Sequence, residues 1–392
     1  MRKWISLLLI LAMICGVCGV FAEEDLYTQG LDAFDAQDYE KAFKLWTQAV
    51  ADGDEYSQYG LGYLYEFGLG VDQSYEKALE CYQKAADQGI AEAIYSTGYL
   101  YYEGAGVERS YEKAMEYWGR AAAEGLNAAY YGIGHLYCEG LGVEKDDKKA
   151  ADYFLKAVEL GETEQAQANF DQMVEEGRIP ADYTMNPDID PMCDLALIAV
   201  NREAYDEAFE YFTKAAEKGS RRGLYNIGVM YDYGNGVEQS KEKAAEYYQQ
   251  AAEKGYARAQ FNLACMYHFG DGIEQSYEKA LKYYQMAVEQ GNAYAMNNLG
   301  VLYENGYGTE QSFGKAMEYY QMSLDHGNMF AMINIGYLYE KGYGVDQSLE
   351  KAVECYKEAA KHGEEQAVTE LKRLAQEGKI TEQYEIISED KQ

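Results

Sequence analysis

Apolar and small residues recur along this chain with the spacing of paired α-helices. In residues 220–255, one set falls at i, i+4, i+5 and i+8: Gly223, Ile227, Gly228 and Tyr231. A second set follows at i, i+4 and i+7: Ala244, Tyr248 and Ala251. Each set marks one apolar face of a helix, with polar residues between its members. The pattern predicts a hairpin of two amphipathic helices.

Glycine and serine mark where these two helices end and begin. Gly234 and Gly236 form a Gly-x-Gly sequence that stops the first helix, because glycine readily adopts the left-handed backbone that a sharp exit requires. Ser240 then stands at the N-cap position of the second helix, and Glu242 lies at its positive end. Gly255 closes the hairpin as a C-cap residue.

The hairpin pattern repeats every 36 residues, and unit-ending glycines define seven complete units: 54–89, 90–125, 126–161, 220–255, 256–291, 292–327 and 328–363. In every unit the twelfth residue is Tyr, the fifteenth and seventeenth are Gly, and the twenty-fourth and twenty-fifth are Lys-Ala. A single hairpin cannot bury its apolar face alone, so neighbouring units must stack. The sequence therefore predicts an all-α fold, an α-solenoid superhelix of helix-turn-helix repeats.

These columns resemble the Sel1-like repeat, a relative of the tetratricopeptide repeat. The matching residues of unit 90–125 are Ala93, Gly98, Tyr101, Gly104, Gly106, Val107, Lys113, Ala114, Trp118, Ala121 and Gly125. The resemblance covers most of residues 26–380 and implies an adaptor or scaffold role. Proteins of this kind are often exported bacterial proteins that contact partner proteins or envelope machinery.

The array is predicted to consist of two blocks. A first block, 23–179, contains a starting helix pair, three full repeats and a closing cap, and a second block, 193–384, contains a starting pair, four full repeats and a cap. The three prolines of the chain, Pro180, Pro187 and Pro191, fall between the blocks and predict a linker at 180–192. One continuous superhelix with a kink is the alternative. Residues 385–392 are predicted to be a disordered tail.

Residues 1–22 have the features of a secretory signal peptide. Arg2 and Lys3 precede an apolar run over 5–20, and Val20-Phe21-Ala22 forms a small-residue cleavage site. We therefore expect export to the periplasm or the medium. Lipid anchoring at Cys15 or Cys18 is a poorer fit, and no later apolar run is long enough to span a membrane.

The formal net charge of −33 excludes several partners. Nucleic-acid binding requires Lys and Arg for phosphate contacts, and adhesion to anionic lipid requires a basic surface. Five cysteines remain after signal cleavage: Cys81, Cys138, Cys193, Cys265 and Cys355. Their scattered spacing predicts neither a disulfide framework nor a metal site, and most are expected to be small buried residues.

No catalytic motif, cofactor or metal site is predicted. The four histidines belong to no H-E-x-x-H sequence, and the Gly-x-Gly pairs follow helices rather than strands. One branch of Sel1-repeat proteins is linked to β-lactam hydrolysis and closes each repeat with a cysteine pair, which this chain lacks. The resemblance therefore implies no enzyme activity.

Two columns are candidate partner-binding residues. The seventh position of the second block is always asparagine: Asn226, Asn262, Asn298 and Asn334. Related superhelices line a concave groove with asparagines whose amides pair with a peptide backbone, since an amide both donates and accepts. The alternative is that each asparagine hydrogen-bonds the neighbouring repeat.

The sixth position is aromatic in several units: Tyr59, Tyr95, Tyr131, Tyr225 and Phe261. Tyrosine suits a peptide or a sugar, because it combines a large ring with a hydroxyl group. The alternative is packing between repeats. The recurrent lysine at position 24 is expected to form internal ion pairs.

Together these features predict an exported scaffold that binds a protein or peptide partner through a concave groove. A glycan or cell-wall-fragment binder is the alternative function.

Overall fold

The computed structural model describes residues 25–161 and 164–386. In these ranges the chain forms 20 α-helices and no β-strand, which confirms the all-α prediction. The predicted signal peptide 1–22 and residues 387–392 of the predicted tail lie outside the described residues. The preceding residue, Ile386, forms an isolated antiparallel bridge with Ile380.

The chain divides into two compact units, Met1–Ile198 and Ala199–Gln392. The helices that lie within the first unit are α1 (Leu26–Asp35), α2 (Tyr39–Ala51), α3 (Glu55–Phe67), α4 (Tyr75–Ala86), α5 (Ala91–Glu103), α6 (Tyr111–Ala123), α7 (Asn127–Glu139), α8 (Asp147–Glu159) and α9 (Glu164–Glu175). The division falls inside α10 (Pro191–Asn201), a few residues after the predicted start of the second block at 193.

The helices of the second unit are α11 (Tyr205–Glu217), α12 (Arg221–Tyr233), α13 (Lys241–Glu253), α14 (Ala257–Phe269), α15 (Tyr277–Val288), α16 (Ala293–Asn305), α17 (Phe313–Asp325), α18 (Ala331–Lys341), α19 (Leu349–Lys361) and α20 (Glu365–Gln376). In each full repeat the first helix packs on the second, and the second packs on the first helix of the next repeat. This is the stacking that the 36-residue period predicts.

The segment predicted as a linker makes hydrogen bonds to α8 of the first unit. Asp152 accepts from the Tyr183 hydroxyl at 2.9 Å and from the Asn186 backbone N–H at 2.8 Å. Tyr153 donates to Asp194, at the start of α10, at 2.7 Å. Residues 183–194 are therefore held against a helix on their N-terminal side.

Each hairpin of the seven full repeats is filled by one aromatic side chain from its second helix. These fully buried residues are Tyr82, Trp118, Phe154, Tyr248, Tyr284, Tyr320 and Tyr356. In six of the seven repeats a glycine on the first helix makes room for the ring, and Ala264 stands there in the remaining repeat. A Cβ atom on Gly228 would lie 2.7 Å from the Tyr248 ring. The recurrent glycine and aromatic columns are thus two sides of one packing contact.

The serine caps are confirmed. Ser240 accepts a hydrogen bond from the Lys243 backbone N–H at 3.2 Å and donates to Glu242 at 3.1 Å. Asp146 caps α8 in the same way, accepting from the Lys148 and Lys149 backbone N–H groups. These bonds satisfy backbone donors that a helix N-terminus leaves unpaired.

The recurrent lysine does not have the expected partner. In every full repeat its ammonium group lies over the ring of the position-12 tyrosine, 4.6–5.1 Å from the centroid. Of the described lysines in this column, Lys149 also pairs with a carboxylate, Asp194, at 3.6 Å. The expectation of ion pairs is therefore wrong for the column as a whole, because the nearest electron-rich group is an aromatic face.

All five described cysteines are free thiols, and Cys81, Cys138 and Cys193 are buried. Their positions agree with the prediction that most cysteines act as small apolar residues.

Candidate partner-binding surface

The four asparagines of position 7 lie half-buried on the first helices of the second unit, α12, α14, α16 and α18. Asn226 donates to the Arg222 carbonyl of its own helix at 2.8 Å. Asn298 donates to the Tyr284 hydroxyl at 3.1 Å, and Asn334 donates to Asn297 Oδ1 at 2.8 Å. Tyr284 and Asn297 belong to the preceding repeats, so these two amides join neighbouring repeats. Asn298 also donates to Cys265 Sγ at 3.8 Å, and its Oδ1 accepts from the Asn297 amide at 3.4 Å.

Asn262 lies beside two tyrosine hydroxyls. Burial raises the pKa of the Tyr248 hydroxyl, and a hydrogen bond with Asn262 opposes that rise. The pKa of Tyr225 is likewise raised by burial and lowered by a hydrogen bond with Asn262. The four asparagines of position 7, here called the Asn column, therefore take part in internal hydrogen bonds and are also partly exposed to solvent.

The aromatic column of position 6 packs inside its own hairpins. Tyr59 is 6% exposed and Tyr95 is 7% exposed. Their rings lie 5.5 Å from Tyr82 and 5.8 Å from Trp118, the aromatic residues that fill the same hairpins. Tyr59 and Tyr95 thus offer little surface to a ligand, and the prediction that they bind a partner is untested.

Tyr131 and Tyr225 are half-buried and make the same intra-hairpin contact. Tyr131 lies 5.8 Å from Phe154, and Tyr225 lies 5.7 Å from Tyr248. The recurrence of the column follows from this packing. A direct role of these two residues in binding also stays a prediction.

The most exposed aromatic side chains among the described residues lie on the second unit, at other positions. Tyr233, Phe269 and Tyr294 are 70%, 69% and 64% exposed on α12, α14 and α16. Tyr233 and Phe269 both lie seven residues after an asparagine of the column, two helical turns along the same face. Exposed tyrosine and phenylalanine rings of this size are candidate contact residues, because aromatic side chains are enriched at interfaces.

Tyr233, Phe269 and Tyr294 were not predicted from the sequence, because their repeat positions are aromatic in fewer than half of the seven repeats. Position 14 is Tyr or Phe in two repeats of the second unit, Asn305 or Lys341 in the other two, and Phe67, Glu103 or Glu139 in the first unit. An irregular aromatic substitution in an otherwise regular repeat was the available signal.

A second group of exposed rings lies in the turns between helices. Tyr307 stacks on Tyr277 with ring centroids 4.5 Å apart, and Tyr343 stacks on Phe313 at 4.6 Å. Tyr337 meets Tyr343 edge to face at 6.1 Å. The final two turns of the array therefore carry paired aromatic rings.

Neither a metal site nor a membrane-spanning helix is found among the described residues. Across 25–161 and 164–386, no group of three or more His, Cys, Asp or Glu side chains could hold a metal ion. In the same ranges, every helix is too short or too polar to cross a membrane.

Comparison with known proteins identifies the repeat. The family model described as Sel1 repeat matches nine segments: 22–54, 55–90, 91–126, 127–162, 200–220, 222–256, 257–292, 293–328 and 330–364. Comparison with curated proteins found no match.

Several solved structures are similar to the chain. A protective antigen of uropathogenic Escherichia coli with an SLR fold is 29% identical, with 92% of this chain and 80% of that chain covered and a TM-score of 0.47. A Sel1 repeat protein from Oxalobacter formigenes is 27% identical, covering 77% and 97%, with a TM-score of 0.33. Yeast Tom70 is 13% identical, covering 91% and 96%, with a TM-score of 0.37.

Proposed function

We propose that this chain, which belongs to the Sel1 repeat family, is an exported scaffold or adaptor that binds a protein partner through the first helices of its second unit. Repeats of this family generally mediate protein–protein interaction and are typically non-enzymatic. The observation that carries the proposal is the exposure of Tyr233, Phe269 and Tyr294 on α12, α14 and α16. These rings flank the half-buried Asn column.

The proposed surface combines two kinds of contact. Large aromatic rings supply contact area at a low cost in side-chain entropy. The amide oxygens of Asn226, Asn262, Asn298 and Asn334 can each accept two hydrogen bonds, so a backbone N–H of a partner of any sequence can still bind there. Export, to the periplasm or the medium, is part of the same proposal and rests on the sequence of residues 1–22.

The test is site-specific photo-crosslinking in the cell that makes the protein. A benzophenone amino acid replaces Phe269 or Tyr294 on the proposed surface, or Glu246 or Glu318 on second helices. All four positions are exposed. A protein adduct from the first-helix positions alone is expected. Adducts of equal yield from Glu246 and Glu318, or none from any position, would overturn the proposal.

The Asn column is tested in the same cells. Asn262→Ala and Asn298→Ala together should lower the adduct yield from the Phe269 position several-fold. The matched control is Asn305→Ala. Asn305 is exposed, and among the described residues its side chain donates a hydrogen bond only to the Val301 carbonyl of its own helix. Unchanged yield in a folded double variant would remove the asparagines from the proposal.

A glycan-binding function is a second candidate, because exposed rings such as Phe269 also suit the flat face of a sugar. Purified peptidoglycan distinguishes the two. Retention of the wild-type chain and loss of retention with Phe269→Ala would favour the glycan function, whereas no retention of either chain would exclude it.

A further inference from the structure

The turns between first and second helices form one edge of the second unit, here called the aromatic edge and defined by Phe269, Tyr277, Tyr307, Phe313 and Tyr343. Each turn packs on the start of the second helix in the preceding repeat. A Cβ atom on Gly308 would lie 2.6 Å from the backbone of Tyr277. The residue just before that glycine therefore stands beside the first residue of the preceding second helix.

Aromatic rings are not needed to build this junction. In the first unit the residue before the glycine is Leu69, Ala105 or Leu141. In the second unit, one junction is an ion pair, with Lys241 Nζ 3.0 Å from Asp271. Only the last two junctions of the described array stack ring on ring, through Tyr307 and Tyr343.

These rings remain accessible. Tyr307 is 38% exposed and Tyr343 is 39% exposed. Phe269 stacks on His268 at 4.3 Å, and His268 lies 6.3 Å from Tyr307, so the most exposed of the rings continues the same edge. The edge thus presents aromatic surface that the packing of the repeats does not require.

The charge along the edge is negative. Each of the turns 270–276, 306–312 and 342–348 carries an exposed carboxylate, Glu274, Glu310 or Asp346, and contains neither Lys nor Arg. Among the described residues, none of these three carboxylates has an ion-pair partner. The lysines in the first turn of the next helices lie over the position-12 tyrosine rings of their own repeats, 4.8–5.0 Å from the centroids. Lys341, directly before the last of these turns, pairs with Glu340 at 3.0 Å.

We propose that the aromatic edge binds an arginine-rich segment of a protein partner. A guanidinium group is planar and weakly hydrated, so it stacks on an aromatic face and can at the same time pair with a carboxylate. A lysine ammonium group is a strongly hydrated point charge and gains less from the rings. The formal net charge of −33 also draws a cationic segment toward the chain. This inference rests on the proposed function as a protein-binding scaffold.

Fluorescence anisotropy of labelled octa-arginine and octa-lysine peptides with the mature chain, at physiological salt, tests the proposal. One variant removes rings: Phe269→Ser, Tyr307→Ser and Tyr343→Ser. A second removes edge charges: Glu274→Gln, Glu310→Gln and Asp346→Asn. A third removes the same charge from the opposite ends of the hairpins: Glu253→Gln, Glu289→Gln and Asp325→Asn, all exposed.

Octa-arginine is expected to bind about 10-fold more tightly than octa-lysine, the difference that cation–π stacking supplies. The ring variant should reduce octa-arginine to the affinity of octa-lysine. The edge-charge variant should weaken octa-arginine about 10-fold, and the opposite-end variant less than about 2-fold. Equal affinity of the two peptides, or equal loss from the two charge variants, would show general attraction to an acidic chain and overturn the proposal.

The crosslinking test of the proposed function is independent of this one. A partner adduct at Phe269 combined with equal binding of the two peptides would leave the protein-binding function standing and remove the arginine specificity. Selective octa-arginine binding without any cellular adduct would leave the arginine specificity standing and remove the protein-binding function. With a benzophenone residue in place of Tyr307, the partner peptide recovered should be rich in arginine, and a peptide without arginine would contradict the inference.

Discussion

The hydroxyl group of Tyr320 donates a 2.7 Å hydrogen bond to the carboxylate of Glu304 across the hairpin of α16 and α17. The same bond, between residues 16 apart, joins Tyr82 to Glu66, Tyr248 to Asp232 and Tyr356 to Glu340. In the two repeats whose buried ring has no hydroxyl, Trp118 and Phe154, the residue 16 positions earlier is Tyr102 or Cys138. In the remaining repeat that residue is His268, whose Nδ1 lies 3.4 Å from the Tyr284 hydroxyl. Among the seven full repeats a carboxylate stands at this position only where the ring has a hydroxyl, because a buried carboxylate needs a donor.

Replacing Tyr320 by Phe should lower the free energy of unfolding by about 1.5–3 kcal/mol, the usual cost of removing a hydrogen bond to a charged group. The change leaves Glu304 without its donor while the ring still fills the hairpin. Urea denaturation followed by circular dichroism measures the effect. The control is Tyr319→Phe, because the Tyr319 hydroxyl has no hydrogen-bond partner in the described residues, and it should change stability by less than about 0.5 kcal/mol. Equal losses would contradict the role given to the bond.

Glu304 and Glu340 occupy the same repeat position and should respond oppositely to neutralisation. Burial raises the pKa of Glu304, so keeping this carboxylate ionised in the folded chain at pH 7 lowers stability. Burial acts on Glu340 too, but hydrogen bonds from Lys341 and Arg373 hold its pKa below the ordinary value. We expect Glu304→Gln to preserve or raise stability at pH 7 and Glu340→Gln to lower it by about 1.5–3 kcal/mol.

Glu304 and Glu340 should also change the stability of the folded chain in opposite directions as the pH falls. The stability that Glu340 contributes is present above its unfolded pKa, about 4.3, and is lost as the pH falls below that value. The contribution of Glu304 grows as the pH falls from 7 toward about 4.3, because the folded chain takes up the proton first. Between pH 7 and pH 4, the denaturation midpoint of Glu304→Gln should therefore converge toward the wild type, whereas the difference between Glu340→Gln and the wild type should shrink only below about pH 4.3. Variants that shift in the same direction at pH 7 would refute this account.

Gly308 should be far less tolerant of alanine than Gly327. Both glycines have a left-handed backbone, with φ of +66° and +88°. A Cβ atom on Gly308 would lie 2.6 Å from the Tyr277 backbone, whereas a Cβ atom on Gly327 would meet nothing within 4 Å. Gly327→Ala should cost about 1 kcal/mol of backbone strain. Gly308→Ala should cost several kcal/mol in total, because a repeat junction must also move. Thermal unfolding of the two variants compares them directly.

The thiol of Cys355 should react slowly at neutral pH. Burial raises the pKa of Cys355 to about 11, and the thiolate is the reactive form. In a mature chain whose other cysteines are alanine, the rate of alkylation should rise about 10-fold per pH unit between pH 8 and pH 10. The urea-unfolded chain is the control and should level off near about pH 9. A folded-state plateau below pH 9 would contradict the assignment.

Cleavage after Ala22 is the prediction for export. Protein recovered from its native cells should have the intact mass of a chain that begins at Glu23. Ala22→Arg should block cleavage and leave the full-length chain in the cell. A lipid adduct on Cys15 or Cys18 would instead establish anchoring, and an uncleaved wild-type chain would remove the export proposal.

The helices and their ends could be predicted from the sequence alone because they depend on local physics. Ser240 caps a helix through backbone donors within three residues, and Gly308 adopts a conformation that glycine readily allows. The 36-residue recurrence then required stacking, since a lone hairpin cannot bury its apolar face. Family and fold class followed from these features.

The candidate site could be predicted less well from the sequence, because the solvent exposure of a side chain depends on neighbours that are distant in sequence. Tyr59 and Phe269 are both aromatic residues of a first helix, yet Tyr59 is buried against Tyr82 while Phe269 is exposed in a later repeat. Recurrence in the sequence marks residues such as Tyr59 that pack inside the hairpins, whereas the exposure of Phe269 is visible only in the folded array.

The sequence by itself determined the repeat, its helices, its caps and its membership of the Sel1 family. Only the tertiary structure decided which side chains meet: the column lysines lie over tyrosine rings rather than beside carboxylates, and the Tyr320 hydroxyl finds Glu304. The physical reason is that helix formation is set by short-range backbone energetics, whereas partner choice and exposure are set by where stacked helices place each side chain.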